Sequence, residues 1–287
     1  MLARLADNAR RLRVPAVVVL FEPQPLEFFH AGPARLMRLR EKIEALRHYP
    51  VDRVVCARFD ARLAGLAPQA FIDRILVRSL GVRYLVVGDD FRFGKDRAGD
   101  FAMLRDAAGR NGFEVASQPT VTVDGGRVSS TRIRAALKIG DLATAAKLLG
   151  RPYQMSGRVV HGSKLGRRLG IPTANIRPRR ATVPLQGIYV AELHGVGPGP
   201  IPGAASIGTR PTVAGREPML EIHLLDFDRD IYRRQVTVTF LKKLRDEMRF
   251  DSVDEMARHI REDVARTREF FQSGGAGGPV RRNALNE

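Results

Sequence analysis

The sequence predicts a two-domain chain, α/β in its first half and all-β in its second. Three observations carry that reading. Strand and helix signals alternate from residue 2 to residue 116, as the units of a parallel α/β sheet do. Gly150-Arg151-Pro152 then breaks a helical stretch. Beyond that break the apolar runs are short and separated by Gly/Pro turns, the pattern of a small antiparallel barrel.

In order, Leu2, Leu5, Ala6, Ala9 and Leu12 share one helical face, and Pro15–Phe21 reads as a buried strand. Helical signals over 39–47, 68–80 and 100–110 alternate with strands at Val51–Phe59, Tyr84–Val87 and Glu114–Ala116. Cys56 lies inside one of these strands and is expected to pack in the core. A parallel sheet of this kind normally opens with a strand, whereas this chain opens with a helix, so an opening strand is expected to be missing. Helical signals return over 129–149 with a turn at Gly140-Asp141. After the break, strands are expected at Ile188–Leu193, Ala205–Ile207, Leu220–Leu225 and Val236–Phe240. Ser252-x-x-Glu255 is a capping box opening a last helix, whose apolar face is Val253, Met256, Ile260, Val264 and Phe271. The domains are therefore set at 1–150 and 151–272, with a disordered Gly-rich tail over 273–287.

Composition narrows the function. The 287 residues are 44% hydrophobic, enough for ordinary cores. No apolar run reaches the roughly 18 residues of a membrane helix. One cysteine excludes an internal disulfide framework and a thiolate zinc cluster. With no signal peptide in view, the cytoplasm is the expected location. The net charge of +17 invites a nucleic-acid reading, yet only seven of the 48 basic residues are lysines and the arginines form no stripe. The field attracts anionic ligands such as nucleotides.

The richest stretch runs from Gly157 to Asn175 and holds Gly157, Gly162, Gly166 and Gly170, then Pro172-Thr173-Ala174-Asn175. Closely spaced glycines let backbone N–H groups approach a polyphosphate, with Lys164, Arg167 and Arg168 adding charge. The Walker A spacing is absent, and by spacing alone a turn-rich hairpin reads equally well. In Glu221-Ile-His-Leu-Leu-Asp-Phe227, alternation puts Glu221 and His223 on one face. Glu221 is either solvent-facing or functional, and His223 reads as packed. Ser129-Ser130-Thr131-Arg132-Ile133-Arg134 opens a helix that suits a phosphate, or is simply capped by Ser130.

These motifs together resemble the bacterial bifunctional riboflavin kinase/FMN adenylyltransferase (FAD synthetase) family, along the whole chain. The resemblance implies a Rossmann-like nucleotidyltransferase domain, here without its first strand, and a six-stranded antiparallel β-barrel with a C-terminal helix. It implies that Thr173 and Asn175 meet Mg²⁺ and the ATP phosphates, and hard Mg²⁺ does prefer such oxygen donors. It makes Glu221 the base that takes the ribityl hydroxyl proton. Arg245, in Lys242-Lys-Leu-Arg-Asp-Glu247, becomes a flavin-site candidate, with a solvated charge run as the alternative. Asp90, in Gly88-Asp-Asp-Phe-Arg-Phe-Gly94, would join Ser130, Thr131 and Arg134 in a nucleotide or flavin site. Mg²⁺, ATP, riboflavin, FMN and FAD are the implied cofactor, substrates and products, with self-association left open and no nucleic-acid or membrane partner.

The family opens with a strand and a His-x-Gly-His loop that this chain does not contain, and Gln24 stands where relatives usually carry histidine. Impaired adenylyl transfer is accordingly expected. Three readings remain open: the full bifunctional enzyme, a riboflavin kinase with a relic adenylyltransferase domain, and a basic nucleic-acid-binding module. Aromatics interleaved with Lys/Arg on the barrel would favour the last; the candidates are Tyr189, Phe227, Tyr232 and Phe240.

Overall fold

The computed structural model describes residues 1–30, 32–162, 165–212 and 215–275. The chain folds into two compact units. The first holds Met1–Pro33 and Met37–Arg127, and the second Ala34–Leu36 and everything from Val128 onward.

The first unit runs α1 (Leu2–Leu12), β1 (Val17–Glu22), α2 (Pro25–Phe29), α3 (Leu39–Leu46), β2 (Arg53–Arg58), α4 (Ala61–Ala64) and α5 (Pro68–Phe71). A π-helical stretch, Ile72–Ser79, continues α5. Then come β3 (Tyr84–Gly88), α6 (Phe101–Asn111), β4 (Glu114–Gln118) and the two-residue strands β5 (Thr122–Val123) and β6 (Gly126–Arg127). The predicted order of strands and helices is present, but the single parallel sheet is not. β1 pairs in parallel with β2, and β3 with β4, as two separate two-stranded sheets.

An apolar cavity of about 510 Å³ meets both sheets, lined by Val17, Val18 and Val19 of β1 and Leu85, Val86 and Val87 of β3. Successive strand side chains point to opposite faces, so lining by consecutive residues means that the cavity meets each strand edge-on. The core of this unit packs beside it, around Phe71, Ile72, Leu76, Leu104 and Phe113. Cys56 is exposed on β2, contrary to the expected core position. β2 pairs on one edge only and alternates between exposed and half-buried residues, so no layer covers the face that carries the thiol.

The second unit begins with α7 (Ser130–Ile139) and α8 (Leu142–Leu149). The compact units divide near residue 128, and α8 packs on the barrel strand Gln235–Arg245. Gly150 is the left-handed residue that ends α8, a helix stop and not a linker.

β7 (Gln154–Val160), α9 (Leu165–Arg168), β8 (Ala174–Arg177), β9 (Gly187–His194), β10 (Ile201–Thr212), β11 (Gly215–Leu224) and β12 (Gln235–Arg245) follow. The six strands close into a barrel in the order β10-β11-β8-β7-β12-β9, antiparallel throughout. Closure leaves no free sheet edge. Met155, Ile176, Leu193, Ile207, Leu220, Ile222 and Val238 are fully enclosed inside. Tyr189 and Phe240 are enclosed as well, so neither offers a stacking face to a base.

The last helix, α10 (Val253–Gln272), is capped by Ser252, whose hydroxyl accepts from Glu255 N. Glu255 reaches Asp251 N rather than closing the expected reciprocal box. Its buried residues are Ala257, Asp263 and Thr267, while Val253 is 53% exposed. Met256, Ile260, Val264 and Phe271 of the expected face are half-buried beside these residues, so only Val253 falls outside it. Of the expected tail, residues 276–287 lie outside the described residues. Among the described residues no helix is long and apolar enough to cross a membrane, and no cluster of three or more His, Cys, Asp or Glu could hold a metal ion.

Candidate active site

The barrel ladder brings the kinase candidates together. Glu221 of β11 is the direct cross-strand partner of Asn175 of β8, and the same row continues to Ser206 of β10 and Ile188 of β9. Directly opposed residues share a face about 5 Å apart. Leu220, Ile222 and Leu224 point into the core, so Glu221 and His223 lie on the opposite, half-buried face. Thr173 lies just before β8, and its Oγ1 lies close to Gly166 of the glycine hairpin.

The glycine hairpin covers these side chains. A Cβ at Gly162 would run into the Asn175 amide. One at Gly166 would collide with Ile171 O and lie 3.5 Å from Thr173 Oγ1. Only glycine allows the loop to come this close. Gly157 sits inside β7, where a Cβ would meet Ile176 and Arg177 O, so its lack of a side chain serves strand packing. Lys164 lies outside the described residues.

Asn175 is 6% exposed, and its Oδ1 is buried without a hydrogen-bond partner. Its Nδ2 reaches Thr173 O only at 3.4 Å. A buried acceptor left open is costly in a finished protein, so this oxygen is matched to a donor or cation that arrives with a ligand. An amide oxygen, a neighbouring hydroxyl and a carboxylate one strand away suit transfer of a phosphoryl group to an alcohol. His223 is engaged too, with Nδ1 2.8 Å from Pro172 O.

Arg245 is engaged in a buried ion pair. It shares the cross-strand row through Ile188, three strands from Glu221 and so about 14 Å along the sheet. Its guanidinium forms a two-pronged pair with Asp263 of α10, at 3.1 Å from Nε and 2.7 Å from Nη2. Nη1 donates to Asp246 O. The group is committed to holding α10, which a charge-rich sequence run could not reveal. The carboxyl of Glu247, two residues on, rests against Gly208 of β10, where a Cβ would overlap it, and desolvation pushes its pKa up. The signal available in sequence for this contact was a glycine inside a strand.

The adenylyltransferase candidates divide between the units. In the first, Asp90 pairs with Arg127 just beyond the end of β3. Beside it, hydrogen bonds from the Thr120 hydroxyl and backbone hold Asp89 below the usual carboxylate range. In the second, Ser129 and not Ser130 caps α7, accepting from Arg132 N at 3.3 Å. Ser130 and Thr131 occupy the exposed first turn. Arg134 Nε donates to Ala34 O at 2.7 Å, so that guanidinium already anchors a loop.

Sequence reasoning also passed over an aromatic group in the first unit. Phe28, Phe29 and Phe59 meet edge to face with centroids 5.2–5.9 Å apart, beside the C-terminal ends of β1 and β2. Phe29 is 56% exposed. Ligands of α/β sheets bind at such strand ends, and exposed aromatic rings there suit a flat heteroaromatic ring.

A family model for FAD synthetase matches residues 1–132, and one for riboflavin kinase matches residues 149–271. The bifunctional riboflavin kinase/FMN adenylyltransferase of Escherichia coli K12 is 50% identical over 273 residues, covering 94% of this chain and 87% of its own. That of Pseudomonas fluorescens is 50% identical over 271 residues, 93% of this chain and 86% of its own. That of Haemophilus influenzae is 44% identical over 275 residues, 95% and 89%. A crystal structure of a Streptococcus pneumoniae protein described as a macrolide-efflux protein is 32% identical, with a TM-score of 0.77 over 93% of this chain and 88% of that one. With both family models matched in order and half of its residues shared with curated relatives along nearly its whole length, the chain belongs to the bifunctional riboflavin kinase/FMN adenylyltransferase family.

Proposed function

We propose that the barrel unit transfers the γ-phosphoryl group of ATP to riboflavin, giving FMN and ADP. The pairing of Asn175 with Glu221 across the ladder, with Gly162 against Asn175 and Gly166 near Thr173, supports this most strongly. Glu221 takes the proton of the riboflavin primary hydroxyl as that oxygen attacks the γ-phosphorus. The bond from γ-phosphorus to the β,γ-bridging oxygen breaks, and ADP leaves. Gly162 and Gly166, which come close to Asn175 and Thr173, would offer their backbone to the phosphates. The oxygen donors fit Mg²⁺: Thr173 Oγ1 and the unpartnered Asn175 Oδ1 would hold it, and when bound it supplies positive charge against the charge gathering on the phosphate oxygens.

The second activity is transfer of AMP from ATP to FMN, giving FAD and diphosphate. Asp90, Ser130, Thr131 and Arg134 remain candidates for nucleotide or flavin contact, and the Phe28, Phe29 and Phe59 group for the flavin ring. Gln24 caps α2 here, its N–H bonded to Glu27 at 3.0 Å. Glutamine offers no imidazolium to a departing diphosphate, which supports slower FAD formation than FMN formation.

The test is chromatography of products. Riboflavin, ATP and Mg²⁺ should give FMN, with chelation of Mg²⁺ abolishing it, while FMN and ATP should give FAD more slowly. Absence of FMN would overturn the kinase assignment, and FAD formed faster than FMN would overturn the ranking.

A further inference from the structure

We propose that His223 is a positioning residue of the kinase site, holding Thr173 in place through the backbone just before it. The proposal rests on the kinase reading of the barrel and adds a residue to it.

The ladder between β8 and β11 pairs Ile176 with Leu220, Asn175 with Glu221 and Ala174 with Ile222, and stops there. One further step would oppose Thr173 to His223. The residue before Thr173 is a proline, which has no N–H to offer a ladder. The backbone therefore leaves the sheet just where the glycine hairpin returns to it. Asn175 is pinned by strand pairing on both sides, to Glu221 and to Val160. Thr173 is not.

The imidazole takes over from the ladder at this point. His223 Nδ1 lies 2.8 Å from Pro172 O. A carbonyl oxygen only accepts, so the proton sits on Nδ1, which fixes the tautomer and the orientation of the ring. The chain at Pro172 is thereby tied to β11, two residues from Glu221. On its other side, Gly166 brings the hairpin against Thr173. Thr173 thus sits between Gly166 and the imidazole tie at Pro172. Without the imidazole bond, Pro172-Thr173 loses its tie to β11, while Asn175 and Glu221 stay in register.

The predicted signature is a loss in nucleotide use that spares flavin use. His223→Leu keeps bulk but removes the donor. It should raise the KM for ATP in FMN formation by about five- to tenfold, the scale of one lost hydrogen bond. The KM for riboflavin should stay within about twofold of its starting value on the same reasoning. His223→Asn places its amide Nδ2 where Nδ1 stood and should restore the KM for ATP to within about twofold of the parent. A merely structural histidine would not show this split or this rescue. An unchanged KM for ATP in His223→Leu, or equal impairment of the asparagine and leucine variants, overturns the proposal. Thr173→Ala, assayed alongside, separates the two levels of the argument. If it raises the KM for ATP while His223→Leu does not, only the role of His223 fails. If Thr173→Ala leaves the KM for ATP unchanged, the underlying assignment of the nucleotide site fails.

Discussion

In the barrel, strand register decides where each site residue stands; in the first unit, loops and helix ends decide. Asn175 and Glu221 face each other because β8 and β11 pair in one register, and a slip of one residue would send both side chains to the other face. The sheet is closed, so the register has no edge from which to fray. The first unit has three short two-stranded sheets and carries its candidates beyond the ends of strands. Asp90 is held by an exposed arginine there, and the phenylalanine group stands half in solvent. A site written into a ladder is rigid and visible as geometry before any ligand binds. One assembled from loops is left adaptable, as binding loops on scaffolds generally are.

Stability should separate the two regimes first. Arg245→Ala removes the partner of Asp263, which is 3% exposed, and leaves its carboxylate buried without its pair. Such a loss costs about 3–5 kcal/mol, read by urea or thermal unfolding. Arg127→Ala breaks the solvent-exposed pair with Asp90 and should leave the melting temperature unmoved. Equal losses in the two variants would erase the contrast.

A smaller effect sharpens the same comparison. Burial pushes the Tyr189 hydroxyl up to about 12, with the nearby Asp246 charge adding to it. In the unfolded chain a tyrosine ionises near pH 10. The group's contribution is therefore fully present below about pH 10 and is lost as pH rises towards 12. Tyr189→Phe should flatten that alkaline fall while losing about 1 kcal/mol at neutral pH with the hydrogen bond to Gln186 O. Parallel alkaline losses in parent and variant would show that the barrel interior does not shield this hydroxyl.

What the sequence disclosed follows the same division. Periodicity located α1 to the residue, and alternation put Glu221 on the correct face, because both depend on local spacing. The strands flanking the glycine hairpin, β7 and β8, were hidden inside a stretch whose glycines dominate its local signal. Gly157 reads like a phosphate-loop glycine, yet it answers to Ile176 and Arg177 across the ladder. The commitment of Arg245 to Asp263 joins residues 18 positions apart through tertiary packing. Cys56 looked like core because its strand is apolar, but no second layer covers that face. Local chemistry was legible, whereas anything decided by which element packs on which was not.

The central claim is that the register of β8 and β11 sets a base beside the phosphate-holding oxygens. It is tested most directly by Glu221→Gln, which keeps shape and strand propensity but cannot accept the hydroxyl proton. The account predicts that kcat for FMN formation falls about 10²-fold or more while the KM values for riboflavin and ATP stay within about threefold. Turnover near that of the parent protein would contradict it.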